Sequence, residues 1–402
     1  MTAPTASRRT TTMVVGGGHS GLAVSHHLTA QGIDHVVLER GQVAHSWRTQ
    51  RWDSLRLLTP NWMTRLPGHA YVGPDRDGFM TAAEVADFVC DYASVSGAPV
   101  QAETAVRRVA PVSGGFAVET SQGPWSARTV VLASGSVRGV VPAVADGLPE
   151  GVVSLHAVDY RNPSQLPEGG VLVVGAAASG VQIAAELQRS GRQVTLAVGE
   201  HVRAVRRYRD RDLFAWIDEI GLLDERWDEV DDVVRARRLP SFQLVGGSGD
   251  LDLNALQSLG VRLVGKLAGI RDGQALFSGS LANVASLADL KLNRLLTSID
   301  VVAGGEGERL DPTRIPAPQL GLDLASGEIR TVLWATGIKP DHGFVDAPVF
   351  DAKGAIRHDG GVTDLPGLYV TGLPVLRRRR STYIDGANAD AEELTKHLAA
   401  AL

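Results

Sequence analysis

Two stretches of this chain repeat one pattern of apolar and polar positions. From Thr12, TMVVGGGHSGLAVSHHLTAQGIDHVVLER runs through an apolar segment, a glycine turn, a helix-length segment closed at Gly32 and a second apolar segment. From Val171, VLVVGAAASGVQIAAELQRSGRQVTLAV does the same. A short unbroken apolar run bounded by turn residues is how a strand buried on both faces of a parallel sheet reads, so each stretch predicts a βαβ unit. Thr104 to Gly135 predicts a β-meander, with turns at Ser113-Gly114-Gly115 and Gln122-Gly123-Pro124, and then a buried strand ending Ala133-Ser134-Gly135. The second unit has its own small antiparallel insertion and ends on IRTVLWATG, closing with Ala335-Thr336-Gly337. PGLYVTG (366–372) and a helix-patterned C-terminal segment then return to the first unit.

The expected fold is therefore α/β, with two Rossmann-like dinucleotide-binding domains of the three-layer ββα sandwich type, one inserted in the other. The discontinuous domain takes 12–165 and 339–402, the inserted one 166–338. An extra segment at about 206–260 lengthens the second domain, and residues 1–11 form a flexible tail. In DLFAWIDEIGLLDERW, Leu213, Trp216, Ile217 and Ile220 recur at helical spacing, which predicts a core-facing stripe.

Each unit carries a phosphate-binding fingerprint. Gly16, Gly18 and Gly21 make G-x-G-x-x-G after a strand and at a helix start. There the glycines allow a tight turn, close approach to a pyrophosphate and close helix packing, and the helix N–H groups meet the anion. Glu39, ending the next strand, is placed to accept ribose hydroxyls. Gly175, Ala177 and Gly180 hold the same positions in the second unit, with a methyl group in place of the middle glycine. No carboxylate ends its second strand at Leu196-Ala197-Val198, while Arg203, Arg206, Arg207 and Arg209 follow. That pattern favours a 2′-phosphate and so NADPH over NADH, against the competing reading of a solvated basic loop. Ser20, Arg40, Ser179 and the two Ala-Ser/Thr-Gly strand ends complete the candidate cofactor-binding positions.

Composition narrows the chemistry. Forty Lys and Arg against 45 Asp and Glu give a net charge of −5, so no overall positive field gathers nucleic acid or an anionic membrane. A single cysteine, Cys90, excludes an internal disulfide or dithiol pair and fits a reducing cytoplasm. No zinc cage or other metal-ligand cluster is expected. The N-terminus lacks an apolar signal region, and 171–187 is too short and too punctuated to span a bilayer, so a soluble cytoplasmic protein is expected.

Several blocks in order carry a family resemblance: VVGGGHSGL with Glu39, SWRTQRWDSLRLLTPNWMTRLPG (46–68), LHAVDYRNP (155–163), VVGAAASG, WATGIKPD (334–341) and GLYVTGLPVLRRRRSTYIDG (367–386). Across nearly its whole length the chain resembles flavin-dependent monooxygenases of the FMO type. It is similar both to their bacterial relatives labelled as flavoproteins involved in K⁺ transport and to the plant YUCCA enzymes. The resemblance implies FAD in the discontinuous domain and NADPH in the inserted one. It implies Trp47 and Arg48 along the FAD, and Gly372 with the Asp385-Gly386 helix start at the ribityl chain and pyrimidine edge. The family's Phe-x-Gly-x-x-x-His-x-x-x-aromatic motif keeps only His156 and Tyr160 here, with Glu150 and Val152 at the first two positions. His156 is a catalytic candidate or a linker histidine. Asn61 lies where the family carries an asparagine supporting the oxygenated flavin, or is a turn residue.

The implied chemistry is NADPH reduction of FAD, O₂ addition to give a C4a-(hydro)peroxyflavin, and transfer of one oxygen atom to a small organic substrate. N- or S-oxygenation, Baeyer-Villiger oxidation and oxidative decarboxylation are the candidate reactions. An NADPH oxidase or flavin reductase without oxygen insertion shares every dinucleotide feature, as does a non-enzymatic nucleotide sensor. Arg377 to Arg380 either steer an anionic ligand or form a solvated loop. A homodimer is a further expectation.

Overall fold

The computed structural model describes residues 7–247 and 249–402. Residues 1–6 of the expected tail lie outside that range. The rest of the tail needs correction, because Arg8 already pairs with Trp125 at the start of the strand Arg8–Val15. RRTTT has no apolar signal, but its β-branched threonines suit a strand and the parallel partner supplies the hydrogen bonds.

The first sheet runs, in spatial order, 358–359, 362–363, 368–370, 123–132, 8–15, 35–38 and 100–101, with the meander strands 106–112 and 115–120 attached to 123–132. Successive side chains alternate faces. Val14, Val37 and Val131 therefore meet the helices His19–Ala30, Ala82–Val95 and Ala387–Ala400 through Leu22, Val85 and Leu394. Met13, Val36 and Val130 point the other way, onto Phe116 and Val118 of the meander. Three layers result.

The second sheet is wholly parallel: 153–156, 329–334, 170–174, 194–197 and 262–264. Val171 and Val173 face the helices Ala178–Arg189 and Leu253–Ser258, while Leu172 and Val174 face a three-stranded antiparallel layer through Ala275 and Phe277. Its edge strand Val153–His156 falls before residue 166, within the stretch expected to belong to the first domain. The chain actually crosses at Ser136–Gly139 and returns at Ile338–Pro340, and these two connections pair with each other antiparallel.

The extra segment contains the helices Leu213–Glu219 and Val233–Ala236 and ends before Leu253–Ser258, which belongs to the domain core. A 23-residue helix, Leu281–Ala303, stands where only a small antiparallel insertion was expected. Its Leu292, Leu296 and Ile299 pack with Leu213, Phe214 and Ile217, and with Met63 of the first domain, in one shared core.

Candidate functional site

The two fingerprints fold into turns with closely matching backbone angles and clearances. Gly16 has φ +118, and a Cβ there would lie 2.4 Å from the Ala133 carbonyl oxygen; Gly175 has φ +109, with the same 2.4 Å to the Ala335 oxygen. A Cβ on Gly21 would meet the Gly16 oxygen at 2.0 Å, and one on Gly180 the Gly175 oxygen at 1.9 Å. These four glycines are required by the protein's own backbone. Gly18 differs: it is extended (φ −83, ψ 178), and no atom lies within 4 Å of a Cβ built on it. Ala177 has almost the same conformation (φ −78, ψ −178), so its methyl group costs no backbone strain.

Gly18 and Ala177 are the N-caps of their helices, and neither helix receives a side-chain cap. Their first-turn N–H groups are thus directed at open space, as a pyrophosphate requires. Around the first cradle stand Ser20, the Ala133-Ser134-Gly135 strand end and Gly372, whose Cβ would lie 3.0 Å from Ser20 Oγ. Ser134 Oγ is buried without a partner. Glu39 is buried and accepts the N–H groups of Gly17 (2.8 Å) and Gly41 (3.0 Å), leaving lone pairs for ribose hydroxyls. Arg40 is exposed. The residues present therefore fit an FAD at the first fingerprint and a nicotinamide dinucleotide at the second, where Ser179 stands in the first helical turn.

The positions implied by resemblance divide. Trp47 packs against the first core, with the Arg51 guanidinium 4.9 Å above its ring. Arg48 does not join it: its guanidinium is taken by Asp87 at 2.9 Å on the helix Ala82–Val95. Gly386 begins the C-terminal helix, but the Asp385 carboxylate is enclosed and paired with Arg380 (2.8 Å) and Arg65 (3.6 Å), leaving one oxygen without a partner. Burial pushes the Asp385 carboxyl up, against the pull of Arg380. Asn61 opens a short 3₁₀ turn and donates from Nδ2 to the Asp75 carbonyl at 2.8 Å, while its buried Oδ1 has no partner.

His156 is placed for structure. Its Nδ1 accepts the Val158 N–H at 3.1 Å, so the proton sits on Nε2, 3.1 Å from the Gly337 carbonyl. Burial holds the ring below the usual histidine range. Both nitrogens are engaged by backbone groups, a geometry that favours the linker histidine over the catalytic candidate. It fixes the Ala335-Thr336-Gly337 strand end instead, together with bonds from Thr336 Oγ1 to the Val140 carbonyl and from Val140 N to the Gly337 carbonyl (3.0 Å).

The arginine readings also change. Arg203 is buried between Asp252 (2.6 Å) and Asp289 (2.7 Å), and Arg206 is buried with Asp212 at 2.6 Å and Phe79 and Phe214 against its guanidinium. Neither is available to a phosphate; of the four arginines in the run Arg207 and Arg209 are exposed, and Arg209 is turned to Asp300 and the carbonyls of Gly304 and Gly305. Arg377 to Arg380 are not a solvated loop. Arg380 bonds Asp385, Asp224 and Asp218, Arg379 bonds Glu225, and Arg377 and Arg378 bond Glu393, so the run clasps the extra segment to the C-terminal helix region. A residue absent from the sequence-derived set is His19, whose buried Nε2 has no partner and whose pKa burial lowers to about 4. Its place between the fingerprint glycines was the available signal. Among the described residues no group of three His, Cys, Asp or Glu side chains is placed to hold a metal ion, and no helix is long and apolar enough to cross a membrane.

A family model described as pyridine nucleotide-disulphide oxidoreductase matches residues 13–220. An uncharacterized CzcO-like oxidoreductase of Geobacillus kaustophilus is 31% identical, covering 95% of this chain and 96% of its own. A probable indole-3-pyruvate monooxygenase, YUCCA3 of Arabidopsis thaliana, is 27% identical over 48% of this chain and 47% of its own. Among solved structures, a flavin-containing monooxygenase from Stenotrophomonas maltophilia aligns with TM-score 0.69 over 98% of this chain and 99% of its own, at 19% identity, a likeness of fold.

Proposed function

Since the chain belongs to the pyridine nucleotide-disulphide oxidoreductase family, as an FMO-like flavoprotein, we propose that it is a monooxygenase that uses NADPH and FAD to place one oxygen atom of O₂ on a small organic substrate. The duplicated cradle carries the two-cofactor part of this reading, with two open helix N-termini, one per domain, and the Ala-Ser-Gly and Ala-Thr-Gly strand ends closing against them, and the likeness to indole-3-pyruvate monooxygenases supports the oxygen transfer. FAD supplies the electron and oxygen chemistry and NADPH the hydride.

The chain's own residues bind, orient and exclude water. The backbone at Gly16, Gly18 and Gly21 holds the FAD pyrophosphate, and Glu39 accepts from its ribose. Gly175, Ala177 and Gly180 hold the second pyrophosphate. Ser134 Oγ and Asn61 Oδ1, both buried without protein partners, offer hydrogen bonds to groups in the first site. The paired connections 136–139 and 338–340, locked by His156, set the spacing between the sites. Met63, Trp62, Leu58 and Tyr383 pack under the extra segment in the shared core.

The test is anaerobic reduction with NADPH followed by mixing with ¹⁸O₂ in the presence of amines, sulfides, ketones or 2-oxo acids. The name of the plant relative puts 2-oxo acids first in that screen. Label in an organic product, with a transient near-ultraviolet absorbance before flavin reoxidation, is the expected outcome. Hydrogen peroxide equal to NADPH consumed under every condition, with no label incorporated, would make the protein an oxidase.

A further inference from the structure

In a doubly wound unit the adenosine ribose lies beyond the carboxyl end of the second strand. Here that strand is Val194–Ala197, and the chain continues through Val198 and Gly199 to Glu200. Glu200 lines a cavity of about 300 Å³ whose other walls are Asp232, Val234, Arg235, Arg238 and Leu239. The arginines nearest in sequence to the strand end, Arg203 and Arg206, are neutralised by Asp252, Asp289 and Asp212. Arg235 and Arg238 are exposed, and neither guanidinium has a carboxylate partner among the described residues. Arg235 lies in the helix Val233–Ala236 and Arg238 two residues beyond its end, in a turn closed by the Arg238 N–H on the Arg235 carbonyl (3.0 Å), and both line the cavity.

The two carboxylates of the cavity are already engaged. Asp232 caps the short helix by accepting the Arg235 N–H at 2.9 Å, and Glu200 lies 3.6 Å from Lys291 Nζ. Val234 and Leu239 present apolar surface to the same space, 56% and 39% exposed. The cavity thus combines two guanidiniums for a compact dianion with apolar walls for a flat base.

We propose that this cavity takes the 2′-phosphoadenosine end of NADPH, with Arg235 and Arg238 of the extra segment as the charges that select it over NADH. The inference rests on the NADPH reading above and reassigns its selectivity to residues about thirty positions from the loop where such charges are usually sought. Guanidinium forks suit a phosphate, and the loss of one charge-assisted contact corresponds to about tenfold in affinity.

The experiment is calorimetric titration of the FAD-loaded protein with 2′,5′-ADP and, separately, with 5′-AMP, for the wild type, Arg235→Ala, Arg238→Ala, the double variant and Arg207→Ala. Wild type binding 2′,5′-ADP much more tightly than 5′-AMP, with about a tenfold loss for 2′,5′-ADP alone in each single variant, a larger loss in the double variant and no change in Arg207→Ala, supports the assignment. Wild type that does not distinguish the two nucleotides refutes the NADPH preference itself. A wild-type preference that survives in the double variant, or is lost only in Arg207→Ala, keeps NADPH but overturns this site. Both arginines are exposed, and unchanged flavin content and melting temperature verify that the variants fold.

Discussion

Replacing Gly16 and Gly18 separately distinguishes a glycine needed by the fold from one needed by the ligand. At Gly16 a side chain meets φ +118 and the Ala133 carbonyl oxygen at 2.4 Å, a contact with backbone that cannot rotate away. The conformation alone costs about 1–3 kcal/mol, and the displaced strand end adds to it. Gly16→Ala should therefore melt well below wild type even without FAD. At Gly18 the backbone is extended, which suits a β-branched residue, and no atom lies within 4 Å of its Cβ. Gly18→Val should leave the apo-protein close to wild-type stability, because the roughly 0.4–1 kcal/mol gained by restricting the unfolded chain offsets what an apolar residue costs at a helix N-cap. FAD at a hundred times its dissociation constant stabilises the wild type by about 2.7 kcal/mol, and blocking the pyrophosphate approach removes that increment. Thermal unfolding of apo and FAD-saturated protein reads both effects. Apo Gly18→Val melting like Gly16→Ala, or a full FAD-induced shift in Gly18→Val, would refute the division.

Arg206→Ala should lower the melting temperature, since breaking a buried pair costs about 3–5 kcal/mol, and should weaken NADPH and NADH use alike; selective loss of NADPH in steady-state kinetics would return Arg206 to phosphate recognition. Arg380→Ala, which strips Asp385, Asp224 and Asp218 of a shared partner, should destabilise by several kcal/mol in urea titrations, whereas Arg108→Ala at the surface pair with Asp346 should change stability by less than about 1 kcal/mol; equal effects would contradict the burial argument. Burial lowers His358 to about 4, so between that value and the ordinary 6.5 the unfolded chain binds more protons and stability falls on acidification. From pH 7 to pH 5 the loss attributable to His358 is below about 2 kcal/mol, and urea midpoints of His358→Gln should show correspondingly less decline; identical pH slopes would remove His358 from the acid response.

Both fingerprints, the acid after the first and the insertion of one domain in the other were legible because each is local: a strand, a turn and a helix start follow from a dozen consecutive residues. The meander was legible for the same reason, its strands falling at 106–112, 115–120 and 123–132 between the expected turns. The helix Leu281–Ala303 was missed although LANVASLADLKLNRLLTSIDVVA has helical periodicity, because the likeness of the two units drew the reading towards a small antiparallel insertion. The first crossing was placed too late because VSLH is a four-residue strand whose only signal is its neighbour Ile329–Trp334.

What the sequence by itself determined is the pair of glycine turns, since the glycines at 16, 21, 175 and 180 answer to contacts within their own turns and adjacent strand ends. What only the tertiary structure decided is the state of the charges. An arginine in a basic run reads as free, but its partner is a carboxylate brought by folding: Asp252 and Asp289 to Arg203, Asp218 and Asp224 to Arg380. Coulomb attraction and desolvation depend on distance and burial in space, which no spacing along the chain encodes. The same reason engages both nitrogens of His156 and leaves Arg235 and Arg238 facing a cavity at the end of a strand far from them in sequence.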